Sequence, residues 1–356
     1  MRKHSAMGLL AGGVCAVLLA GLLPGCGGDE TPPPESGKPR YRLALIMKSL
    51  ANEFFKTMAE GARAHEQKDP SRYELITNGM RDESDVASQI AILEQMIAQK
   101  VNAIIIAPAD SKALVPACKK AKDAGIVVVN IDNKLDDEAL EEKAVRIPFV
   151  GPDNRKGARM AGEYLAGKLK AGDQVAIVEG MPGTYNGTMR RLGFEAAMDA
   201  GGMKIVAHQT GYWETDKAEK VVAGMLAQHP DLKGILCAND SMALGAVAAV
   251  KAAGKTGAIH IVGYDNISAI QQLILGGTVL CTVDQHADQI AVEGIRHALD
   301  ILGSHVAPES TDYKETRTDL IDADAIKRNA EKIAEKAAEK AAEKAADKAA
   351  EKASSK

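Results

Sequence analysis

The chain of 356 residues is poor in aromatic side chains, which form 3% of it as four Phe, seven Tyr and one Trp. It also lacks an excess of positive charge, because 44 Lys and Arg face 48 Asp and Glu for a formal net charge of −4. Proteins that bind nucleic acid through its phosphates need clustered basic residues. We therefore expect no nucleic-acid partner. The scarcity of rings makes the position of each one informative.

Cysteine is scarce as well, with five residues and no Cys-x-x-Cys pair. Cys118 lies in a segment of helical periodicity, and Cys237 and Cys281 lie in apolar runs. We interpret these three as small core residues rather than as metal ligands or nucleophiles.

Signatures of common enzymes are missing. Gly254-Lys255-Thr256 lacks the upstream glycine of a phosphate-binding loop, because Ala249 stands there. The eight His form no His-x-x-x-His pair, and there is no Gly-x-Ser-x-Gly elbow. We therefore expect no catalytic residue, no cofactor and no metal site, with an enzyme of doubly wound fold as an alternative.

The N-terminus has the pattern of an export signal. Met1-Arg2-Lys3-His4 precedes an apolar run over residues 7–23, and Leu22-Leu23-Pro24-Gly25-Cys26 follows. The last five residues are similar to the lipobox of bacterial lipoproteins. This implies that residues 1–25 are removed and that a lipid on Cys26 anchors the chain in the periplasm or cell envelope. The alternative is an uncleaved anchor, for which the run is short, since a span needs about 20 residues.

After a tether at residues 26–40, short apolar runs alternate with segments of helical periodicity. The runs occupy residues 43–47, 74–77, 103–107, 126–131, 175–178, 205–208, 235–238, 259–264 and 280–283. Continuous apolar strands between helices indicate parallel sheets that are covered on both faces. The pattern predicts an α/β fold of two doubly wound, Rossmann-like parallel-sheet lobes that divide near residue 150. An eight-stranded β/α barrel is the alternative architecture.

The C-terminal segment differs from the rest of the chain. From residue 330 onwards it repeats Ala-Glu-Lys-Ala, and these are strong helix formers. A period of four exceeds the helical 3.6, so no apolar face persists along it. Residues 324–356 are therefore predicted to form a solvated helix rather than a coiled coil.

Polar and aromatic side chains follow the ends of the predicted strands, where open α/β sheets bind ligands. They are Lys48, Asn52, Phe54, Phe55, Asp132, Asn133, Trp213, Asn239, Asp265 and Gln285. Planar carboxylates and amides can bridge neighbouring hydroxyl groups, and ring faces can cover the C–H faces of a sugar, so the set favours a neutral polyhydroxyl ligand. Ordinary structural roles are the alternative: Asp153 and Asp240 suit helix N-caps, and Phe54 and Phe55 suit the core.

Several of these residues stand in segments that resemble the ribose-binding type of periplasmic solute-binding protein. The segments are Leu45-Ile46-Met47-Lys48-Ser49-Leu50-Ala51-Asn52-Glu53-Phe54-Phe55, Ala107-Pro108-Ala109-Asp110-Ser111, Asn130-Ile131-Asp132, Gly180-Met181-Pro182-Gly183-Thr184, Ala238-Asn239-Asp240-Ser241-Met242-Ala243-Leu244-Gly245 and Ile261-Val262-Gly263-Tyr264-Asp265. The similarity runs from residue 42 to residue 321. It implies two lobes joined by a three-crossover hinge that close on a sugar and deliver it to an ABC importer.

The resemblance also implies roles for individual residues. Lys48 and Asn133 depart from the ribose binders, which carry a small hydroxyl residue and an arginine there, and they look more like the allose-binding member. An allose-like hexose is therefore expected first and ribose second. Residues that match the family's polar sugar contacts are Asn52, Asp132, Arg190, Asn239, Asp265 and Gln285, and those that match its aromatic sandwich are Phe54, Phe55 and Trp213.

The same resemblance implies the organisation of the chain and its partners. Residues 41–148 plus 285–304 are expected in the first lobe and residues 149–284 plus 305–323 in the second, with crossovers near 149–153, 283–285 and 304–313. The expected partners are a monosaccharide and the permease of an ABC transporter, and the expected state is a monomer. A sugar-sensing input protein for a chemoreceptor or sensor kinase is the alternative function.

Overall fold

The computed structural model describes residues 41–304 and 313–354, so the expected signal peptide, the tether and Cys26 lie outside the described residues. The strands are β1 (Tyr41–Ser49), β2 (Tyr73–Met80), β3 (Ala103–Ile106), β4 (Val127–Ile131), β5 (Phe149–Pro152), β6 (Gln174–Glu179), β7 (Lys204–Thr210), β8 (Leu232–Cys237), β9 (His260–Val262), β10 (Thr282–Asp284), β11 (Tyr313–Thr316) and β12 (Asp319–Ile321). The helices are α1 (Glu53–Glu66), α2 (Val86–Ala98), α3 (Val115–Asp123), α4 (Asp137–Glu142), α5 (Asn154–Ala166), α6 (Tyr185–Ala200), α7 (Thr215–Gln228), α8 (Asp240–Ala252), α9 (Ser268–Leu275), α10 (Ala287–Ser304) and α11 (Ala323–Ser354).

The first lobe is built on a six-stranded parallel sheet with the order β11-β5-β4-β3-β1-β2. Alternate residues of β1 enter two different cores, because side chains of a strand point to opposite faces. Leu43 and Leu45 pack with residues of α1 and α10, whereas Ala44 and Ile46 pack with residues of α2 and α3. Helices therefore cover both faces of this sheet.

The second lobe is built on a four-stranded parallel sheet with the order β7-β6-β8-β9, and β10 pairs antiparallel with β12 beside it. One continuous hydrophobic core joins its strands to the helices that flank them. These two doubly wound parallel-sheet lobes confirm the predicted fold class. The alternative architecture, an eight-stranded β/α barrel, is wrong.

The chain passes between the lobes three times, and the structure corrects the predicted boundaries. The first two passages, after β5 and between β10 and α10, fall in predicted crossover segments. The third joins β11 to β12, later than the predicted 304–313. Residues 149–152 and 313–316, assigned to the second lobe from the sequence, form strands of the first sheet. Tyr-Lys-Glu-Thr at 313–316 is too polar to stand out as a strand.

The C-terminal segment forms the helix α11, as its composition predicts. Ala325 is buried near its start, but residues 327–342 are all exposed. None of the helices over residues 41–304 and 313–354 is long and apolar enough to cross a membrane. Cys118, Cys237 and Cys281 are buried free thiols, which confirms their interpretation as core residues.

Candidate functional site

A cavity lies between the two lobes, at the carboxyl ends of their strands. Its walls contain ten of the eleven residues predicted from the sequence, all except Asn133, together with two further ones. The lining residues are Lys48, Asn52, Phe54, Phe55, Glu83, Asp132, Asn186, Arg190, Trp213, Asn239, Asp265 and Gln285.

The first lobe contributes a buried ion pair to the cavity. Lys48, near the end of β1, and Asp132, directly after β4, place Nζ and Oδ2 3.2 Å apart, and both side chains are almost inaccessible to solvent. Parallel strands β1 and β4 end at the same edge of the sheet, which brings these two residues together. A buried pair of charges is costly to desolvate, so its place in a cavity wall suggests a role in binding rather than in stability.

The second lobe contributes Arg190, which projects from α6 and is buried. Its Nε donates to Asn154 Oδ1 at 2.8 Å, and its Nη1 donates to the carbonyl oxygen of Ala238 at 2.7 Å. The same Nη1 lies 3.5 Å from Asp265 Oδ1. The guanidinium also lies 3.8 Å from the ring centroid of Tyr264. These contacts fix the position of the guanidinium group in the cavity wall.

Aromatic rings from both lobes form the rest of the walls. Phe54 and Phe55, in the first turn of α1, meet edge to face with centroids 5.1 Å apart. Trp213 comes from the second lobe, where it is 4% exposed. A Cβ on Gly180 would lie 2.0 Å from the Trp213 ring, so only glycine leaves room for the indole. The Lys48 Nζ lies 5.8 Å from the Phe55 centroid and 5.9 Å from that of Trp213, which places the cation between rings of the two lobes.

Three polar atoms of the cavity residues are buried and accept or donate no hydrogen bond within the described part of the chain. They are Asp132 Oδ2, which has only its ion pair, Gln285 Oε1 and Trp213 Nε1. Leaving a buried polar atom unsatisfied costs about 1–3 kcal/mol. Two acceptors and one donor in one cavity match the mixed donor and acceptor character of hydroxyl groups.

The backbone is strained at three cavity residues. Asp132, Trp213 and Asp265 have φ values of 61°, 67° and 123°, in the region that side-chain-bearing residues rarely adopt. Such strain concentrates at functional sites, where the surrounding structure maintains it. Here it directs a carboxylate or a ring from the end of a strand into the cavity.

Burial changes the acidity of two carboxyl groups in the cavity. It raises the pKa of Asp265 well above its ordinary value, although the nearby Arg190 charge opposes the shift. It raises the pKa of Glu83 as well, with the Lys48 charge opposing and the Asp132 charge adding to the increase.

The lobes are closed on each other in this structure, since hydrogen bonds cross between them. Ser111 of the first lobe donates its backbone N–H to Gly183 O at 3.1 Å and accepts at its Oγ from Tyr185 N at 2.9 Å. Asn133 Oδ1 accepts from Asn186 N at 3.1 Å. These contacts attach the first lobe to the start of α6.

Two expectations from the sequence need correction. Asn133 does not line the cavity; its Nδ2 donates to Pro108 O at 2.9 Å, and its Oδ1 forms the contact between lobes. Asp240 is not the N-cap of α8, since Asn239 holds that position and accepts from Met242 N at 2.9 Å. The capping role of Asp153 at α5 is confirmed by its bond from Lys156 N.

Sequence reasoning missed Glu83 and Asn186. The apolar run predicts that the second strand ends at residue 77, but β2 continues to Met80. Glu83 follows shortly after the true end of the strand, so a correct strand end would have made it a candidate site residue. Asn186 lies in the first turn of a helix, and no signal in the sequence separates it from an ordinary helical residue.

Comparison with known proteins agrees with this geometry. Residues 43–305 match the family model described as the periplasmic binding protein domain. The D-ribose/D-allose-binding protein of Pseudomonas aeruginosa is 56% identical over 79% of this chain and 89% of its own length. The D-allose-binding periplasmic protein of Escherichia coli is 33% identical over 72% of this chain and 83% of its own length.

Solved structures give the same result. An ABC transporter solute-binding protein from Burkholderia multivorans has 56% identity and a TM-score of 0.78, covering 80% of this chain and 100% of its own. A periplasmic solute-binding protein from Actinobacillus succinogenes, with bound D-allose, has 34% identity and a TM-score of 0.76, covering 81% and 100%. The chain therefore belongs to the periplasmic binding protein family, among the ribose- and allose-binding type of ABC-transporter solute-binding proteins.

Proposed function

We propose that this protein captures one neutral monosaccharide between its two lobes and delivers it to an ABC importer without transforming it. The observation that carries the proposal is the convergence of ten predicted residues from both lobes on one cavity. Hydroxyl groups of the sugar would bind Asp132, Asp265, Gln285 and Arg190, and the rings of Phe55 and Trp213 would cover its faces.

Binding of such a small molecule requires nearly complete burial. A micromolar affinity corresponds to about −8 kcal/mol. Spread over about twelve heavy atoms of a hexose, this is roughly 0.7 kcal/mol per atom, about half the ceiling for small ligands. One lobe alone cannot enclose the guest on all sides. We therefore propose that the lobes close around the sugar by rotation at the three crossovers, and that the importer recognises the closed form.

The preferred sugar is proposed to be an allose-like hexose, with ribose second. Lys48 pairs with Asp132 in the cavity, and the resemblance described from the sequence implies that the ribose binders differ at this position. The relative from Pseudomonas aeruginosa is named for both sugars, and the one from Actinobacillus succinogenes holds D-allose. The sensor alternative is not favoured, because the relatives include a ribose import binding protein and solute-binding proteins of ABC transporters.

The location of the protein follows from its family, which is periplasmic. We further propose that cleavage before Cys26 and lipidation of its thiol anchor a monomeric binding protein to the membrane. Metabolic labelling with a fatty-acid analogue tests this step: label should enter the wild-type chain and not Cys26→Ser, and equal labelling of both would contradict it.

A thermal-shift screen over monosaccharides and polyols tests the proposed function. A ligand that binds only the folded state raises the melting temperature by an amount that grows with its concentration and affinity. D-allose and D-ribose should stabilise the protein, whereas sugar phosphates should not. Stabilisation by no neutral sugar, or by charged metabolites alone, would contradict the proposal.

A further inference from the structure

Glu83 is an unusual residue of the cavity wall. It lies in the segment between β2 and α2, where its neighbours Arg81, Asp82, Ser84 and Asp85 are all exposed while Glu83 itself is 7% exposed. Glutamate is almost never buried unless it is paired. The burial of this one carboxyl in an exposed segment indicates that the site uses it.

The segment around Glu83 is fixed at both ends. Ser49 Oγ, at the end of β1, donates to Arg81 O at 3.1 Å. Asp85 accepts from Ser88 N at 3.0 Å and so caps α2. Asp82 accepts from Ser84 N at 2.7 Å. These local bonds define the path of the backbone on both sides of Glu83.

Glu83 determines how Asn52 is presented to a ligand. The Asn52 Nδ2 donates to Glu83 Oε1 at 2.9 Å, and the Asn52 Oδ1 accepts from Phe54 N at 3.0 Å as the N-cap of α1. The two bonds fix which end of the amide is oxygen and which is nitrogen. Since the oxygen is engaged by α1 and one N–H by Glu83, the second N–H is what Asn52 can offer to the cavity.

Charge distribution gives Glu83 a second effect. Glu83 and Asp132 both interact electrostatically with Lys48, so two carboxyl groups share one ammonium group on this wall. The carboxyl oxygens on this wall therefore favour ligand groups that donate hydrogen bonds.

We propose that Glu83 is a specificity-determining residue, which orients Asn52 as a donor and makes this wall select one hydroxyl configuration of a neutral sugar. The proposal rests on the sugar-binding function above. It states that the cavity wall containing Glu83 and Asn52 discriminates between sugars that differ in configuration at a single carbon. Removing Glu83 should therefore change the relative affinities of epimers and not merely weaken all of them.

The test is titration calorimetry of wild type, Glu83→Gln and Glu83→Ala with D-allose, its epimers D-glucose, D-altrose and D-gulose, and D-ribose. Glu83→Gln keeps an oxygen that can accept from Asn52, so the order of sugars should be largely preserved with a loss of a few fold. Glu83→Ala frees Asn52, and the ratio of affinities between D-allose and at least one epimer should change by tenfold or more. Glu60→Gln, on the exposed face of α1, is the matched control and should leave every affinity unchanged.

Two outcomes would overturn the proposal. One is that Glu83→Ala weakens all five sugars by the same factor, as a purely structural residue would; the other is that it changes none of them. If Glu83→Ala does not fold, two measurements replace it: the sugar affinities of Glu83→Leu, and the pH dependence of epimer selectivity in the wild type. The proposal is contradicted if the selectivity is the same in Glu83→Leu as in the wild type and also stays constant with pH as Glu83 titrates. Failure of the wild type to bind any of the five sugars would instead contradict the proposed sugar preference, and failure to bind any neutral sugar in the thermal-shift screen would refute the sugar-binding function itself.

Discussion

Glu53 of the first lobe accepts, at its Oε1, a hydrogen bond of 2.6 Å from the backbone N–H of Ser268 in the second lobe. Ser268 is the first residue of α9, and the residue before it, Ile267, has no side chain that could cap the helix. A carboxylate of one lobe therefore caps a helix of the other, where the helix dipole favours negative charge. The bond exists only while the lobes are closed.

Loss of this interlobe bond should speed release of the sugar. Glu53→Ala removes the acceptor and should raise the dissociation rate of D-allose about two- to tenfold, because an exposed hydrogen bond contributes about 0.5–1.5 kcal/mol. Stopped-flow measurement after mixing with excess competing sugar gives the rate. The control variant Glu60→Ala, on the exposed face of α1, should release the sugar at the wild-type rate. A wild-type rate in Glu53→Ala as well would show that the contact does not hold the lobes together.

Arg190→Ala should abolish binding and destabilise the fold. The substitution leaves Asp265, Asn154 and the carbonyl of Ala238 without their buried partner, and breaking a buried ion pair costs about 3–5 kcal/mol. Calorimetry with D-allose and chemical unfolding measure the two effects. Arg191→Ala removes the neighbouring arginine, which pairs with Glu195 outside the cavity, and should spare sugar binding. Equal affinity of the Arg190 variant and the wild type would remove Arg190 from the site.

Trp213 should report sugar binding directly. It is the sole tryptophan of the chain, and its indole lines the cavity with Nε1 unsatisfied. Saturating D-allose should therefore shift or quench its emission, with the same affinity that calorimetry gives. Binding seen by calorimetry without any change of emission would show that the sugar does not contact this ring.

Asp240 should make the stability of the protein decrease as the pH rises. Burial raises its pKa from 3.8 to about 7, although it accepts hydrogen bonds from Thr282 and from the backbone of Ile267. The folded state thus binds a proton that the unfolded state has lost, so the contribution to stability is complete below about pH 4 and is lost as the pH rises to about 7 and beyond. A pKa that is higher by one pH unit in the folded than in the unfolded state corresponds to about 1.4 kcal/mol.

Asp240→Asn isolates this effect, because other carboxyl groups titrate equally in both proteins. The free energy of unfolding of the variant, relative to wild type, should increase by a few kcal/mol between pH 4 and pH 8. Urea unfolding at several pH values measures it. A difference that is constant with pH would show that Asp240 is ionised in the folded protein throughout.

The strands and the two-lobe architecture could be predicted because buried parallel strands are uninterrupted apolar runs, such as the Ile-rich β3. The strand β11 could not be predicted, because it lies at the exposed edge of the sheet and only Thr316 of its Tyr-Lys-Glu-Thr sequence is buried. Its pairing with β5 depends on where the third crossover falls, which is a property of the whole fold.

The cavity residues were largely predictable for a related reason: parallel strands end at a common edge, so the residues after them converge. Asn133 shows the limit of this rule. It directly follows Asp132, yet the positive φ of Asp132 turns the chain so that only the carboxylate enters the cavity. Adjacent residues at a strand end can thus have separate roles, one in the cavity and one between the lobes.

Titration calorimetry of D-allose into wild type, Asp132→Asn and Asp265→Asn tests most directly whether both lobes hold one sugar. We predict one sugar per chain in the wild type and a loss of affinity of about tenfold in each variant, since an amide N–H in place of an accepting oxygen leaves a buried hydroxyl unpaired at a cost of about 1–3 kcal/mol. Wild-type affinity in either folded variant would contradict this prediction, because a single lobe would then suffice for binding.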